Sequence, residues 1–261
     1  PLIVHISSMQ GIADWADDIP DYAIALARAY WPGPMTLILK RSQIAKDFIT
    51  GGQDTVGLRV PSDSIAQSLL QEFEKISDSG IAAPSANRFG QVSPTSSADV
   101  QEELGSFLSN SDLVLDGGKS VIGIESTIID CTGAAPRILR PGAVTAQMIE
   151  QSTGLHVVGA VDADTPDGTE EIRVSGSLDS HYAPLAKVLL CETPTAGQGF
   201  IAHANIETPL GVIRLASPSD DEEFARILYS SLREADAQGL KEVVVIEPIG
   251  IGIAVAIRDR L

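Results

Sequence analysis

Residues 82–95, AAPSANRFGQVSPT, cannot form a regular helix or a central strand, because Pro84 and Pro94 lack the amide hydrogen such elements need and Gly90 loosens the middle. The chain must carry them as a loop between patterned segments. Gly80 to Ala83 reads as a short apolar strand before it, and Ser97 opens a helical SADVQEELG after it, with Gly105 as its stop. In α/β folds, ligands gather where strands end and loops begin. Ser85, Asn87, Ser93 and Thr95 supply short donors and Arg88 a fixed positive charge, a set that suits an anionic, oxygen-rich ligand such as a nucleotide phosphate. The same residues also serve plain turn chemistry, so this stretch alone leaves both readings open.

The rest of the chain alternates short apolar runs with helical faces. Leu2 to Ile6, Met35 to Leu39, Thr55 to Val60, Asp112 to Asp116, Ile128 to Cys131 and Pro136 to Leu139 read as strands. Helices are expected around Ile12 to Ala16, after Asp21 as a cap, and after Ser62 as a cap. In the last of these, Ile65, Ala66, Leu69, Leu70 and Phe73 form a core-facing stripe. Thr145 caps a further helix to about Ser152. Residues 161–173, VDADTPDGTEEIR, have linker composition, and SGSLDSHYAP follows with His181 and Tyr182, residues that a bare linker does not need.

Beyond it, strands over Lys187–Cys191, Leu210–Leu215 and Glu242–Ile246 surround a helix from about Ser219 to Gln238, and a glycine-led helix ends the chain, giving a small second α/β domain. Asp220 to Glu223 crowd the first turn of the long helix, where the helix dipole favours negative charge, so they read as capping groups and not as metal ligands.

Two basic side chains stand out. Arg59, between Leu58 and Val60, faces opposite to them; that direction is either solvent or a cleft where its planar fork takes a carboxylate. Arg140 at a strand end is a second anion candidate. His5 on its short strand is either a satisfied structural histidine or a ligand.

A net charge of -17 argues against a surface that tracks nucleic-acid phosphates, so direct binding of double-stranded RNA is disfavoured and any nucleic acid is expected to be handled by a partner. Cys131 and Cys191 lie in no C-x-x-C or Cys/His cluster, which fits neither a zinc site nor a disulfide framework and suits a reducing cytoplasm. The most apolar stretch, Val243 to Ile257, is broken by Glu247 and Pro248 and falls short of the roughly 20 residues a membrane span needs. The glycines of GGKSVIG do not meet the Walker spacing, and no G-x-S-x-G elbow supports a serine hydrolase.

The motifs PLIVH, PGPMT, VGLRVP, APSAN, GIESTI, LRPG and SHYAP, in this order, resemble the long, two-domain form of the YrdC-like threonylcarbamoyl-AMP synthases. That resemblance implies a twisted α/β catalytic domain over residues 1–158, a linker over 159–185 and a smaller Rossmann-like α/β domain over 186–261. It implies a cytoplasmic nucleotidyltransferase that condenses L-threonine, bicarbonate and ATP, with magnesium on the nucleotide, into threonylcarbamoyl-AMP and pyrophosphate. A separate transferase complex would then modify tRNA. The threonine pocket implied uses His5, Arg59, the backbone at Ala83, and Ser126; the ATP side uses Thr55, Ser85, Asn87, Ser93 and Arg140, with Tyr182 closing over the nucleotide. No residue is implied as a nucleophile, and no carboxylate cluster identifies itself as a metal site.

One departure from the family is expected to matter. A basic Lys-Gly-Arg-Pro stretch and a threonine-containing strand precede the Pro-Leu-Ile segment in the family, so this 261-residue piece alone is expected to be weakly active or inactive. The rival readings are a related YrdC-like carbamoyltransferase, which would bring zinc-finger or acylphosphatase-like segments, and a non-catalytic nucleotide- or RNA-binding regulator.

Overall fold

The computed structural model describes residues 1–77, 79–158, 172–176 and 183–261. In chain order the elements begin with β1 (Ile3–His5), a 3-10 turn (Met9–Gly11), α1 (Ile12–Trp15), β2 (Ala16–Asp17), α2 (Asp21–Tyr30), β3 (Met35–Arg41), α3 (Asp47–Thr50), β4 (Thr55–Arg59), α4 (Ser64–Ser77) and β5 (Ile81–Ala83). There follow α5 (Ser97–Leu104), a 3-10 turn (Gly105–Phe107), β6 (Thr127–Asp130), β7 (Arg137–Arg140) and α6 (Ala146–Thr153). The last are β8 (Lys187–Leu190), β9 (Gly199–Ile201), β10 (Ile213–Ala216), α7 (Asp221–Ala237), β11 (Glu242–Val245) and α8 (Ile253–Asp259). They divide into two compact units: Pro1–Pro84 with Ser126–Ser177, and Ser85–Glu125 with Leu178–Leu261.

The first unit is a mixed sheet in the order β5-β1-β4-β3-β6-β7, with β2 paired to β3. Its period-2 alternation sorts the side chains onto two faces. Val4, Val56, Leu58, Met35, Leu37, Leu39 and Ile129 point into the main core, where α2 contributes Ala23, Leu26 and Ala27 and α6 contributes Ile149. The alternate positions, including Ile3, His5, Thr36, Ile38, Thr55, Gly57, Arg59 and Ile128, belong to the other face. There Ile38 and Ile128 meet Val174, with Ile3, Leu139 and Ile172 against them.

The second unit is a parallel sheet in the order β10-β9-β11-β8. One face packs on α7 and α8 through Phe224, Leu228, Tyr229, Leu232, Ala256 and Ile257, and the other carries Phe200, Ala202 and Val244. The apolar stripe that Phe224, Ile227, Leu228, Leu232 and Ala235 form at helical spacing on α7 is fully buried except at Ile227, which is half-buried. The acids at its start are caps: Asp220 accepts from the Glu223 amide at 2.8 Å, and Glu223 accepts from the Ser219 amide at 2.8 Å.

Four local expectations need correction. Residues 112–116 form no strand; Leu113 and Leu115 are 83% and 55% exposed, and a run without a pairing partner has nowhere to place its backbone groups except solvent. The stripe on α4 is not core-facing as a whole, since Leu70 is buried but Leu69 is 48% exposed. That helix is capped by Asp63, which accepts from the Ala66 amide at 2.8 Å, and not by Ser62. Asp21 is the first residue inside α2, with Pro20 at the cap position, because proline pre-sets the extended backbone there and has no amide to satisfy. The sequence reading also missed β9, whose three residues are too few to show a period.

In the second unit Gly123 has φ of +85°, and a Cβ there would stand 2.4 Å from the Arg226 Cα and carbonyl oxygen. These are helix backbone atoms that cannot step aside. Gly123→Ala is expected to destabilise this unit by roughly 3 kcal/mol, combining left-handed strain and overpacking. Urea unfolding checks this; a change below about 1 kcal/mol would show that the loop relocates freely.

Candidate active site

The face opposite the main core gathers the polar residues of the first unit. β1 and β4 run parallel with His5 level with Arg59, and β5 places Ile81 beside His5 and Ala83 beside Ile3. Arg59 is on this face and is partly buried, and its Nε donates to the Gly33 carbonyl at 3.1 Å. Burial first, and the nearby positive charge of Arg140 second, push its pKa down to about 10.

Arg140, at the end of β7, is 4% exposed. Its Nη2 donates to the Ser126 carbonyl at 3.0 Å and to Ser126 Oγ at 3.2 Å, and its Nη1 donates to the Ser175 carbonyl at 2.7 Å. Ser126 Oγ also pairs with Thr36 Oγ1 at 2.8 Å. Two guanidinium groups close enough for Arg140 to lower the pKa of Arg59 make an anion-seeking potential at this spot, strengthened by low solvent access.

His5 completes the group. Burial, then the charge of Arg59, lowers its pKa to about 4, against an opposing pull from the Ile81 and Ile3 backbone. It is neutral at physiological pH, and its buried Nδ1 has no hydrogen-bond partner among the described residues. A neutral imidazole with an open nitrogen can take part in a hydrogen bond from a ligand without repelling the two arginines.

Residues 172–176 return to the edge of this face. Gln53 Oε1 accepts from the Arg173 amide at 2.7 Å and Gln53 Nε2 donates to the Arg173 carbonyl at 3.0 Å, a side chain that mimics a strand partner. Ser175 Oγ donates to the Pro1 carbonyl at 3.2 Å. A narrow crevice here is lined by Ile3, Thr55, Gly57, Ile128, Val174 and Ser175.

The first unit thus brings together His5, Arg59, Ala83, Ser126, Thr55 and Arg140. Ser85, Asn87 and Ser93 belong to the second unit. Ser85 is exposed; Asn87 Nδ2 donates to the Arg88 and Gln91 carbonyls at 2.9 Å each, while its buried Oδ1 has no partner among the described residues; Ser93 Oγ donates to Glu125 at 2.7 Å. Arg88, the positive charge noted in the loop, pairs with Glu103 at 2.9 Å. His181 and Tyr182 lie outside the described residues. Thr36, Glu125 and Ser175 were missed by the sequence reading. Thr36 could have been found, since a threonine inside MTLIL falls on the same alternate positions as a site-face residue.

Comparison with known proteins bears on this face. The Sua5, YciO and YrdC family model, described as telomere recombination, matches residues 1–142. The chain belongs to this family. A second model, described as the C-terminal domain of threonylcarbamoyl-AMP synthase, matches residues 144–261. A threonylcarbamoyl-AMP synthase of Pyrococcus abyssi is 37% identical, covering 100% of this chain and 79% of that protein. One from Bacillus subtilis is 31% identical over 100% of this chain and 78% of its own length. The crystal structure of P. abyssi Sua5 complexed with L-threonine matches with a TM-score of 0.81 and 33% identity, over 100% of this chain and 78% of that one. The two-domain α/β architecture expected from the motifs is therefore the architecture of the Sua5 members of this family.

Proposed function

We propose that this protein is an L-threonylcarbamoyladenylate synthase, making threonylcarbamoyl-AMP and pyrophosphate from L-threonine, bicarbonate and ATP. The observation that carries the site assignment is the Arg59 and Arg140 pair beside a neutral His5 on one sheet face. A relative in this family holds L-threonine in its crystal structure. A zwitterionic amino acid suits this face: the carboxylate goes to Arg59, whose Nε already rests on Gly33, and the short polar end meets His5, Ser126 and the Ala83 backbone.

Thr55 and Arg140 face the nucleotide phosphates in this reading, and the motif residues Ser85, Asn87, Ser93 and Tyr182 make its remaining contacts, with Ser93 Oγ and Asn87 Oδ1 accepting from nucleotide donors because their own protons are already placed. The threonine amine combines with bicarbonate, losing water, to give a carbamate. A carbamate oxygen attacks the α-phosphorus in line as the bond to pyrophosphate breaks. No protein nucleophile is needed, so the protein's work is positioning and charge stabilisation. Magnesium enters with ATP on phosphate oxygens; among the described residues no group of three or more His, Cys, Asp or Glu side chains is placed to hold a metal.

The product serves threonylcarbamoyladenosine formation in tRNA through a separate transferase complex in the cytoplasm, in keeping with the net charge of -17. No helix among the described residues is long and apolar enough to cross a membrane. Incubation of the chain, carrying the family's basic Lys-Gly-Arg-Pro segment and its preceding strand ahead of Pro1, with ATP, magnesium, L-threonine and labelled bicarbonate tests the reading: label in an AMP adduct, threonine-dependent and matched by pyrophosphate, is expected. An adduct formed without threonine would indicate carbamoyl transfer instead.

A further inference from the structure

We propose that Tyr229 and Arg260, in the helices of the second unit, are positioning residues for the nucleotide, acting through Glu125 on Ser93. The inference rests on the synthase reading and on the nucleotide role it gives Ser93.

Glu125 stands between two kinds of partner. Its Oε1 accepts from Ser93 Oγ at 2.7 Å, while its Oε2 accepts from Tyr229 Oη at 2.9 Å and from Arg260 Nε at 2.7 Å. One oxygen is thus fixed by the helices, which turns the other towards the loop serine. All the groups are enclosed: the side chains of Arg260 and Glu125 are 1% and 14% exposed, Tyr229 is 1% exposed and Ser93 is 7% exposed. Hydrogen bonds to a charged group in such surroundings are the strong kind.

The backbone around Glu125 is fixed from the same side. Gly123 rests on the α7 backbone at Ala225 and Arg226, and Ile124 is buried in the core of α7 and α8. At the other end of the loop, Arg233 of α7 pairs with Glu103 at 3.2 Å and donates to the Val92 carbonyl, the residue before Ser93. Asp259 shares the guanidinium of Arg260. Ser93 is therefore held from its backbone neighbour by α7 and from its hydroxyl by Glu125. Because that hydroxyl donates its only proton to Glu125, its lone pairs and orientation are set by residues more than a hundred positions away in the chain.

A purely structural cluster would change stability alone. A positioning cluster changes how the protein handles ATP and leaves its handling of threonine unchanged. The test, run on the chain carrying the family's basic segment and preceding strand ahead of Pro1, measures KM for ATP, KM for L-threonine and thermal midpoint for wild type, Tyr229→Phe, Arg260→Met and Arg260→Lys. Arg260→Met is expected to raise the KM for ATP about tenfold, as one charge-assisted hydrogen bond is worth, with the threonine KM within about twofold. Arg260→Lys is expected to recover most of that loss. Tyr229→Phe, which keeps the ring packing, carries the test if Arg260→Met does not fold, with an expected rise of about threefold. A folded Tyr229→Phe or Arg260→Met whose two KM values stay at wild type, or rise together, overturns the inference while leaving the synthase reading intact. If the unsubstituted protein carrying that segment forms no threonine-dependent adduct, the synthase reading and the inference with it are overturned.

Discussion

Replacing Arg59 with alanine is expected to cut kcat/KM for L-threonine by roughly 100-fold, while the KM for ATP stays within about threefold. Arg59 and Arg140 share a face but differ in attachment. Arg140 is tied by hydrogen bonds to Ser126 and Ser175, whereas Arg59 is anchored through its Nε to the Gly33 carbonyl. A carboxylate that loses a buried guanidinium partner gives up about 3 kcal/mol. The change also removes the charge that helps keep His5 neutral. Steady-state kinetics with each substrate varied in turn decides the matter, and an equal loss for both substrates would contradict the assignment of Arg59 to threonine.

The second large effect is on stability against pH. His5 has a pKa of about 4 in the folded protein and 6.5 as its ordinary value, because burial and then Arg59 disfavour the imidazolium. Between these values the unfolded chain takes up a proton that the folded chain refuses, so acidification favours unfolding. The contribution of His5 is fully present above pH 6.5, falls as pH drops through this window, and is lost by about pH 4. Its size is roughly 2–3 kcal/mol after allowance for partial solvent screening. Urea unfolding at pH 7 and pH 4.5 should show wild type losing more stability than His5→Gln by about this amount. Parallel curves for the two proteins would mean that His5 charges freely in the fold.

The sequence disclosed what is local. The alternation in VGLRV put Arg59 opposite Leu58 and Val60, and the structure leaves it partly buried on that side; the spacing of Phe224, Ile227, Leu228, Leu232 and Ala235 announced α7. It did not disclose what depends on distant partners. Residues 112–116 have the apolar run of a buried strand, yet a strand exists only where a neighbour offers a ladder, and α4 has an apolar stripe of which Ile65 and Leu69 stay exposed among the described residues. The cap error at Ser62 is of another kind, since Asp63 one residue later serves the same purpose. In the site, His5, Arg59, Ser126 and Arg140 were legible as residue types at strand ends. The bond from Arg140 to Ser175, and the carboxylate of Glu125 that orients Ser93, join segments far apart in the chain and left no local mark.

The first unit is assembled from two pieces of chain, 1–84 and 126–177, and its central pairing of β3 with β6 aligns Met35 with Thr127. During synthesis from the N-terminus, β3 therefore emerges long before the strand that must lie beside it. Until then its edge, with the apolar Leu37 and Ile38 on its two sides, is an invitation to wrong partners. Closing a loop of this length precedes any reward from the contact, which makes folding slow for the size of the unit. A nascent chain released before residues 172–176 would also lack the strip that meets Gln53 and Pro1. The arrangement that brings Arg140 to the site thus makes the protein dependent, while it is being made, on whatever shields an unfinished sheet.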